Sequence, residues 1–585
     1  MAKKFKVFHT KNLKILPFSF ISMKIQEILK KNYDYILPLI IWILIFGKNI
    51  FSQMMFVDFV PDTYFTIPKL LVLGNYTSTL NPFDILRLIF TPLHLLPYLF
   101  QFSILIAMFL SYSYIRRLFK EKEIIFIILF ALIYFFNPFV YSRIMIGQVG
   151  VLISYLLLPL NIFYIFKFFE SNTKKSFLKM VLSITLTSLC SIHFFAINFI
   201  IFILSAIFLY SKNKFSVKNS LITLISFFLL IFLLNSFWIQ GIFSNPILKT
   251  IDSSHEVFFA PKLSNEIPAV AKIMGMYGFW RESSYTSLYS SFNSGIYFLL
   301  LGILLILMLS GYYLCHEKKS KLFFSLFWIG LVLGTGISHP YTRPFFNSLF
   351  NYLPFFNGFR DSHKLVSLIA LSYAYFIPIL IVEIRNKIKP RLLKTLPLVL
   401  IILFILLFTF PLLGLNNQIK PLSYPSSYNQ INSFLDSKQI NGKIIYLPWQ
   451  TYLTYNWTIG SSSDGRISTP INQLLKYPVL TGPDAYGAET IENHKITHCL
   501  SNKSISCLEQ NSVQFLLLDK CSLYQEENTW ITKNNQSLAY SSACIDVYQL
   551  NPTPQKQKSV PIRFIVGSII SILTLGFIIF FIIKK

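Results

Sequence analysis

The sequence predicts a mainly α, polytopic helical membrane protein with one α/β domain inserted before its last span. Three observations lead there. More than half of the 585 residues are apolar and only 13% are charged, and 60 are Phe, more than a water-soluble fold could cover. Apolar segments of membrane-spanning length, about 18 residues or more, recur along the chain. Lys and Arg gather in alternate short gaps between those segments, as they do in cytoplasmic loops.

Twelve spans are expected, at 35–52, 96–115, 124–141, 149–168, 177–192, 194–211, 219–239, 295–314, 322–337, 366–384, 395–415 and 561–582. With residues 1–34 inside, the cytoplasmic gaps carry Arg116, Arg117, Lys120 and Lys122, then Lys167, Lys174, Lys175 and Lys179, then Lys212, Lys214 and Lys218. Lys318, Lys319 and Lys321 follow, then Arg385, Lys387, Lys389, Arg391 and Lys394, and last Lys584 and Lys585. The alternation requires 177–211 to be a hairpin turning near His193. The outside gaps are poorer in cations, with Arg143 alone between the third and fourth spans. The net charge of +27 is therefore read as loop charge facing anionic headgroups. No basic-aromatic platform of the kind that stacks bases is present, so nucleic acid is not an expected partner. Ile21 to Leu29 reads as an interfacial helix leading into the first span, with no cleavable signal expected.

Residues 35–415 thus form the transmembrane domain, with 53–95 as its first outside loop, and 561–585 form the last span and a cytoplasmic end. In the first loop, Asn81-Pro82 is an N-cap signal for a helix at 83–90, and 66–73 reads as another. Residues 416–560 make an extracytoplasmic α/β domain. Ser427 with Gln430 resembles a capping box for a helix to about Leu435. Strands are expected at 443–447, 513–518 and 543–550. Four cysteines, Cys499, Cys507, Cys521 and Cys544, fall in this domain and suggest disulfides on an oxidising side. Three pairings are possible, and Cys499–Cys507 with Cys521–Cys544 is the expected one. A zinc site is the alternative, although no Cys-x-x-Cys occurs.

Four polar clusters fall on the outside face. Asp58 and Asp62 straddle a proline just past the first span, where a carboxylate near hydrocarbon is costly to keep. Arg143 and Gln148 follow the third span, which Pro138 ends or kinks. His193 stands alone at the hairpin. Arg360, Asp361, His363 and Lys364 abut the tenth span. Each has a plainer reading: Asp58 and Asp62 as a solvated loop, Arg143 snorkelling to headgroups, His193 as a structural hydrogen-bonder, and 360–364 as an interfacial anchor. Arg and Lys bordering an outer-leaflet cavity are also what a lipid phosphate requires. Carboxylates opposite them would deprotonate an acceptor hydroxyl or hold a divalent cation. No phosphate-cradling Gly loop, His-Glu-x-x-His or nucleophile elbow is present.

These features together resemble the GT-C class of membrane glycosyltransferases, sharply so its long prokaryotic members with an extracytoplasmic domain near the end. The resemblance is carried by the acidic first loop, by Asn137-Pro-Phe-Val-Tyr-Ser-Arg143 with Gly147-Gln148, and by Asn235-Ser-Phe-Trp238. Phe359-Arg360-Asp361-Ser362-His363-Lys364, Gly442 to Trp449 and the closing strand Ile545 to Tyr548 add to it. It implies an inverting transferase of the cell envelope using a polyprenyl-phosphate-linked sugar and a glycan, lipid or protein acceptor. Asp58 and Asp62 would be catalytic. Arg143, Gln148, His193, Arg360, Asp361, His363 and Lys364 would bind the lipid phosphate or substrate. A Mg2+ or Mn2+ ion would sit at Asp58 and Asp62 if anywhere. The class places its acidic pair adjacent or one residue apart, whereas three residues separate Asp58 from Asp62. Asp58 is thus the better base candidate, with Asp84 and Asp361 as other possible second members. A non-catalytic scaffold and a lipid-linked saccharide transporter are the alternative functions.

Overall fold

The computed structural model describes residues 33–61, 63, 87, 89–93, 95–209, 217–239, 256–261, 266–281, 294–353, 356–390, 393–413, 419–421, 423–459, 465–483, 491–524, 530–531, 537–553 and 562–584. Asp62, Asp84, the segment Ile21 to Leu29 and the expected helix at 66–73 lie outside them, as does most of that at 83–90.

The chain is mainly helical, and helices occupy all twelve expected segments. Among the described residues six helices can cross a membrane by length and apolar content, seven with a bent pair, so a count of twelve spans is not established. Leu96–Leu118, Val149–Ser171, Ser294–Leu314, Lys318–Ser338, Ser362–Lys387 and Ile565–Ile583 are the six. Ile36–Asn49, His193–Leu209, Leu221–Leu234 and Leu393–Phe408 are shorter apolar helices. The helix Val366–Lys387 lies at the centre, lined on nearly every side by buried Leu, Ile, Ala and Tyr.

The bent pair is Ile124–Phe135 with Pro138–Ile146, turning by 40°. Asn137 makes the bend. Its Nδ2 donates to the carbonyls of Tyr134 at 2.7 Å and Ile133 at 3.1 Å, while its Oδ1 accepts from Val140 N at 3.0 Å. One side chain thus satisfies the end of one helix and the start of the next. Pro138, with no N–H to leave unpaired, takes the first helical position. The expected loop at 142–148 is therefore mostly helix. Arg143 sits inside it, fully buried rather than snorkelling, because the bend turns this segment back into the protein. The hairpin at His193 is present: one helix ends at Cys190 and the next begins at His193.

The α/β domain has a four-stranded sheet of order β1-β4-β6-β5, from β1 (Lys443–Leu447), β4 (Val513–Asp519), β5 (Leu538–Ser541) and β6 (Ile545–Gln549). The β1–β4 pair is parallel and the others antiparallel. A separate two-stranded ribbon joins β2 (Tyr452–Thr454) to β3 (Arg466–Ser468). The sequence signal had missed this ribbon and β5, both too short to show a period. The helix Ser427–Asp436 is present, but no side-chain cap opens it, so the Ser427–Gln430 box does not form. What fixes that helix is Asp519 at the end of β4, which accepts from the hydroxyls of Tyr428 at 2.6 Å and Tyr446 at 2.5 Å. Disulfides join Cys499 to Cys507 and Cys521 to Cys544.

This domain is fused to the membrane part through the loop after the first expected span. Met55 and Val60 belong to the domain's own core, beside Tyr428, Leu453 and Ile471. Ser468 N donates to Val57 O at 2.8 Å, and Tyr424 Oη donates to Pro61 O at 3.0 Å. The Asn235-Ser-Phe-Trp238 segment anchors the last helix, since Ser236 Oγ donates to Gly567 O at 2.8 Å.

Candidate functional site

Asp58 stands on a tight turn. Phe56 N donates to Phe59 O at 2.8 Å, and Asp58 N donates to Ile146 O at 2.8 Å, tying the turn to the end of the Pro138–Ile146 helix. That helix ends at Gly147, whose φ of +81° favours glycine. A Cβ there would lie 2.7 Å from the Cβ atoms of both Phe56 and Phe59. The turn carrying Asp58 therefore rests directly on a glycine.

The side chain of Asp58 reaches a cavity of about 330 Å³. His193, Arg360, Asp361, Lys364 and Gln148 line the same cavity. Asp58, from the start of the chain, thus shares one chamber with cations some 300 residues later. Arg143 and His363 do not line it; both are fully buried behind its wall.

A continuous polar chain runs through that wall. Lys364 Nζ lies 3.3 Å from Asp361 Oδ2, and Arg143 Nη1 lies 2.8 Å from the same oxygen. Arg143 Nη2 donates to His363 Nδ1 at 3.1 Å, and His363 Nε2 donates to Tyr277 O at 3.2 Å. An acceptor at Nδ1 and a donor at Nε2 describe a neutral imidazole. Arg143 also donates to Gln148 Oε1. That leaves the Gln148 amide facing outward, where Nε2 donates to Asp58 Oδ2 at 3.2 Å. Tyr452 of β2 donates its hydroxyl to Asp58 Oδ1 at 3.1 Å.

The two carboxylates titrate oppositely. Asp58 is open to water through the cavity, yet protein surrounds it on its other sides. That burial pushes its carboxyl up, against the Gln148 bond, the charge of Arg281 and the Tyr452 bond, which lower it. For Asp361 burial acts in the same sense, but Arg143 and Lys364 outweigh it and hold the group well below the usual carboxylate range. Asp58 is the carboxylate able to take a proton, and Asp361 is a fixed counter-ion.

His193 Nε2 donates to Gly358 O at 2.8 Å, and its Nδ1 accepts from Ser191 at 3.2 Å. Both ring nitrogens are engaged, which suits a strut between two segments rather than a base. Arg360 lies over the Phe259 ring, 4.8 Å from its centre. Trp280, Arg281, Tyr452 and Arg466 also line the cavity, and motif reading did not find them. Their only sequence trace is an aromatic–cation pair at 280–281 and an alternation in Tyr-Leu-Thr and Arg-Ile-Ser.

For a divalent cation the described donor set is poor. No group of three His, Cys, Asp or Glu side chains converges among the described residues. Asp58 accepts from an amide and a phenol, and Asp361 is held by two cations.

No protein-family model and no curated protein matches the sequence. Among solved structures, the cryo-EM structure of arabinofuranosyltransferase AftD from Mycobacteria superposes with a TM-score of 0.57 at 10% identity, over 90% of this chain and 40% of that one. A mutant form of the same enzyme gives 0.56 at 10% identity, over 90% and 42%. The chain therefore spans about two-fifths of the length of the enzyme it matches. At that identity the likeness is one of fold, and the fold this chain shares is that of a membrane glycosyltransferase, the GT-C-like architecture its motifs resemble.

Proposed function

We propose that the chain is an inverting glycosyltransferase that takes a sugar from a polyprenyl-phosphate carrier at the extracytoplasmic leaflet. One observation carries the reading: Asp58, a carboxylate with raised proton affinity, shares a cavity with Arg360 and Lys364. The fold shared with a membrane arabinofuranosyltransferase supports it. The disulfides support an oxidising side for the α/β domain, and with the loop charges they support cytoplasmic termini.

In the reaction, the acceptor oxygen attacks the anomeric carbon while its proton passes to a carboxylate oxygen of Asp58. The bond from that carbon to the lipid phosphate breaks, and its electron pair leaves on the phosphate oxygen. Arg360 and Lys364 stabilise that charge, so the leaving group needs no proton. Gln148 and Tyr452 hold the carboxylate in place, and Arg143 with Asp361 and His363 holds Gln148. No step passes through a metal; activity is expected to survive chelation, and loss in EDTA restored by Mg2+ or Mn2+ would bring in a cation, with Asp62 as its further ligand.

A scaffold without catalysis would give no reason for Asp58 and Arg360 to share a cavity. A transporter would want charges within several spans, and the charged cluster here sits at span ends. The test is transfer from a labelled polyprenyl-phosphate sugar in reconstituted membranes. Asp58→Asn is expected to lower the rate by about 10²–10⁴-fold. Undiminished transfer would remove the assigned base, and lipid movement without transfer would favour a transporter.

A further inference from the structure

Three arginines open on the cavity without a direct ion pair among the described residues, Arg281, Arg360 and Arg466, although the charge of Arg281 acts on Asp58. The fourth cation of the wall, Lys364, shares Asp361 with Arg143. These four cations fall into two sets by the elements that carry them. Arg360 and Lys364 lie within four positions of each other, beside the central membrane helix. Arg466 belongs to the α/β domain, and Arg281 follows Trp280, over whose ring it lies at 5.4 Å from the centre.

The ribbon's pattern explains why Arg466 faces the cavity. Leu453 pairs with Ile467, and both are fully buried in the domain core. Side chains alternate along strands, so Tyr452 and Thr454 share the other face with Ser468 and Arg466. Tyr452 of that face reaches Asp58 Oδ1, whereas Oδ2 takes the Gln148 bond leading back to Arg143 and Asp361. Asp58 is therefore bonded from the membrane side by Gln148 and from the domain side by Tyr452, and Trp280, which carries Arg281 over its ring, packs with Tyr452 against Val57, Ile146 and Phe279.

Charge indicates how many anions the cavity suits. A sugar–phosphate diester carries one negative charge. Among the described residues, Asp58 offsets one of the four cations, and Asp361 is already matched by Arg143 behind the wall. Over the described lining, one diester therefore leaves a cationic surplus, with two planar guanidinium groups placed to make bidentate contacts to phosphate or carboxylate.

We infer that Arg281 and Arg466 form a second anion subsite, which holds a phosphate or carboxylate carried by the acceptor while Arg360 and Lys364 hold the donor phosphate. The words donor and acceptor rest on the transferase reading; the existence of two anion subsites does not.

The test uses the full chain in nanodiscs, with decyl phosphate in place of the donor lipid. Methyl phosphate and methyl glucuronide serve as phosphate and carboxylate probes of the second subsite. With decyl phosphate saturating, at least one probe is expected still to bind, and the arm that binds identifies the anion. Arg466→Gln and Arg281→Gln should each weaken that probe by about tenfold, the scale of one lost charge-assisted contact, and Arg466→Lys should restore part of it. Arg360→Gln should weaken decyl phosphate and spare the probe. Arg466 is exposed on a short ribbon, so its replacement leaves the core intact. Competitive displacement of both probes by decyl phosphate would mean a single anion site and would overturn the inference. So would binding of neither probe, or binding indifferent to Arg466. A chain that passes this test yet transfers no sugar would refute the proposed reaction alone.

Discussion

Arg143 Nη1 lies 2.8 Å from Asp361 Oδ2 although 218 positions separate them in the chain. Both side chains are almost wholly excluded from solvent. This pair ties the bent segment after the third expected span to the segment before the tenth, and the cavity wall is built on it.

Removing one partner would leave the other charge buried and alone, at a cost of about 3–5 kcal/mol. Asp361→Ala should lower the thermal midpoint of the detergent-solubilised chain strongly, and Asp361→Asn less so. Arg143→Met combined with Asp361→Leu should recover part of that loss while transfer stays impaired. Because Asp361 is held below its ordinary range, its contribution is present above the unfolded value and is lost only as pH falls through the lower folded value. Stability that declined in mild acid for the wild type but not for Asp361→Asn would contradict this.

The acid limb of transfer should report Asp58 and lie above the ordinary carboxylate range, because burial raises it. Tyr452→Phe and Gln148→Ala each remove a bond that favours the charged form, so each should move the limb to higher pH. Gln148→Ala should also lower kcat more than it raises KM, since it loosens the base and leaves the donor-phosphate cations untouched. A pH–rate profile of each variant checks both statements.

Gly147→Ala should be costly beyond its size. The left-handed backbone disfavours any Cβ by about 1–2 kcal/mol, and this one would also collide with the turn from Phe56 to Phe59. We expect a lower thermal midpoint and a fall in kcat, because the displaced turn carries Asp58. Unchanged kinetics would show that the turn tolerates the shift.

The Cys521–Cys544 bridge closes a 23-residue separation, from the end of β4 to the start of β6. Replacing both with Ser should destabilise the α/β domain by about 2–4 kcal/mol. The eight-residue Cys499–Cys507 bridge constrains less of the unfolded chain, so its loss should cost less. Urea titration followed by Trp fluorescence, comparing the two double variants, checks the order.

Much of this was legible from local pattern. Apolar length marked all twelve helical segments, and Pro138 marked the bend. Three strands stood where β-branched and aromatic runs lie, and four cysteines gathered in one polar domain suggested the disulfides. Such signals are local because backbone hydrogen bonding and burial act over a few residues. Asp58, Arg360 and Lys364 could be named as candidates because charges are costly beside hydrocarbon.

Only the folded chain decided what those charges do. Arg143 is of the same residue type as Arg360, and His363 as His193, yet both lie behind the wall as supports. Tyr452 and Arg466 enter the site from a domain hundreds of residues away, on a ribbon too short to announce itself. Whether a cation faces a ligand or a buried carboxylate depends on contacts between distant segments, and no local period encodes those. The sequence by itself determined a helical membrane protein with charges kept at its edges. Tertiary packing sorted those charges into a cavity lining and a buried brace, because an ion surrounded by protein must find its partner wherever the chain brings one.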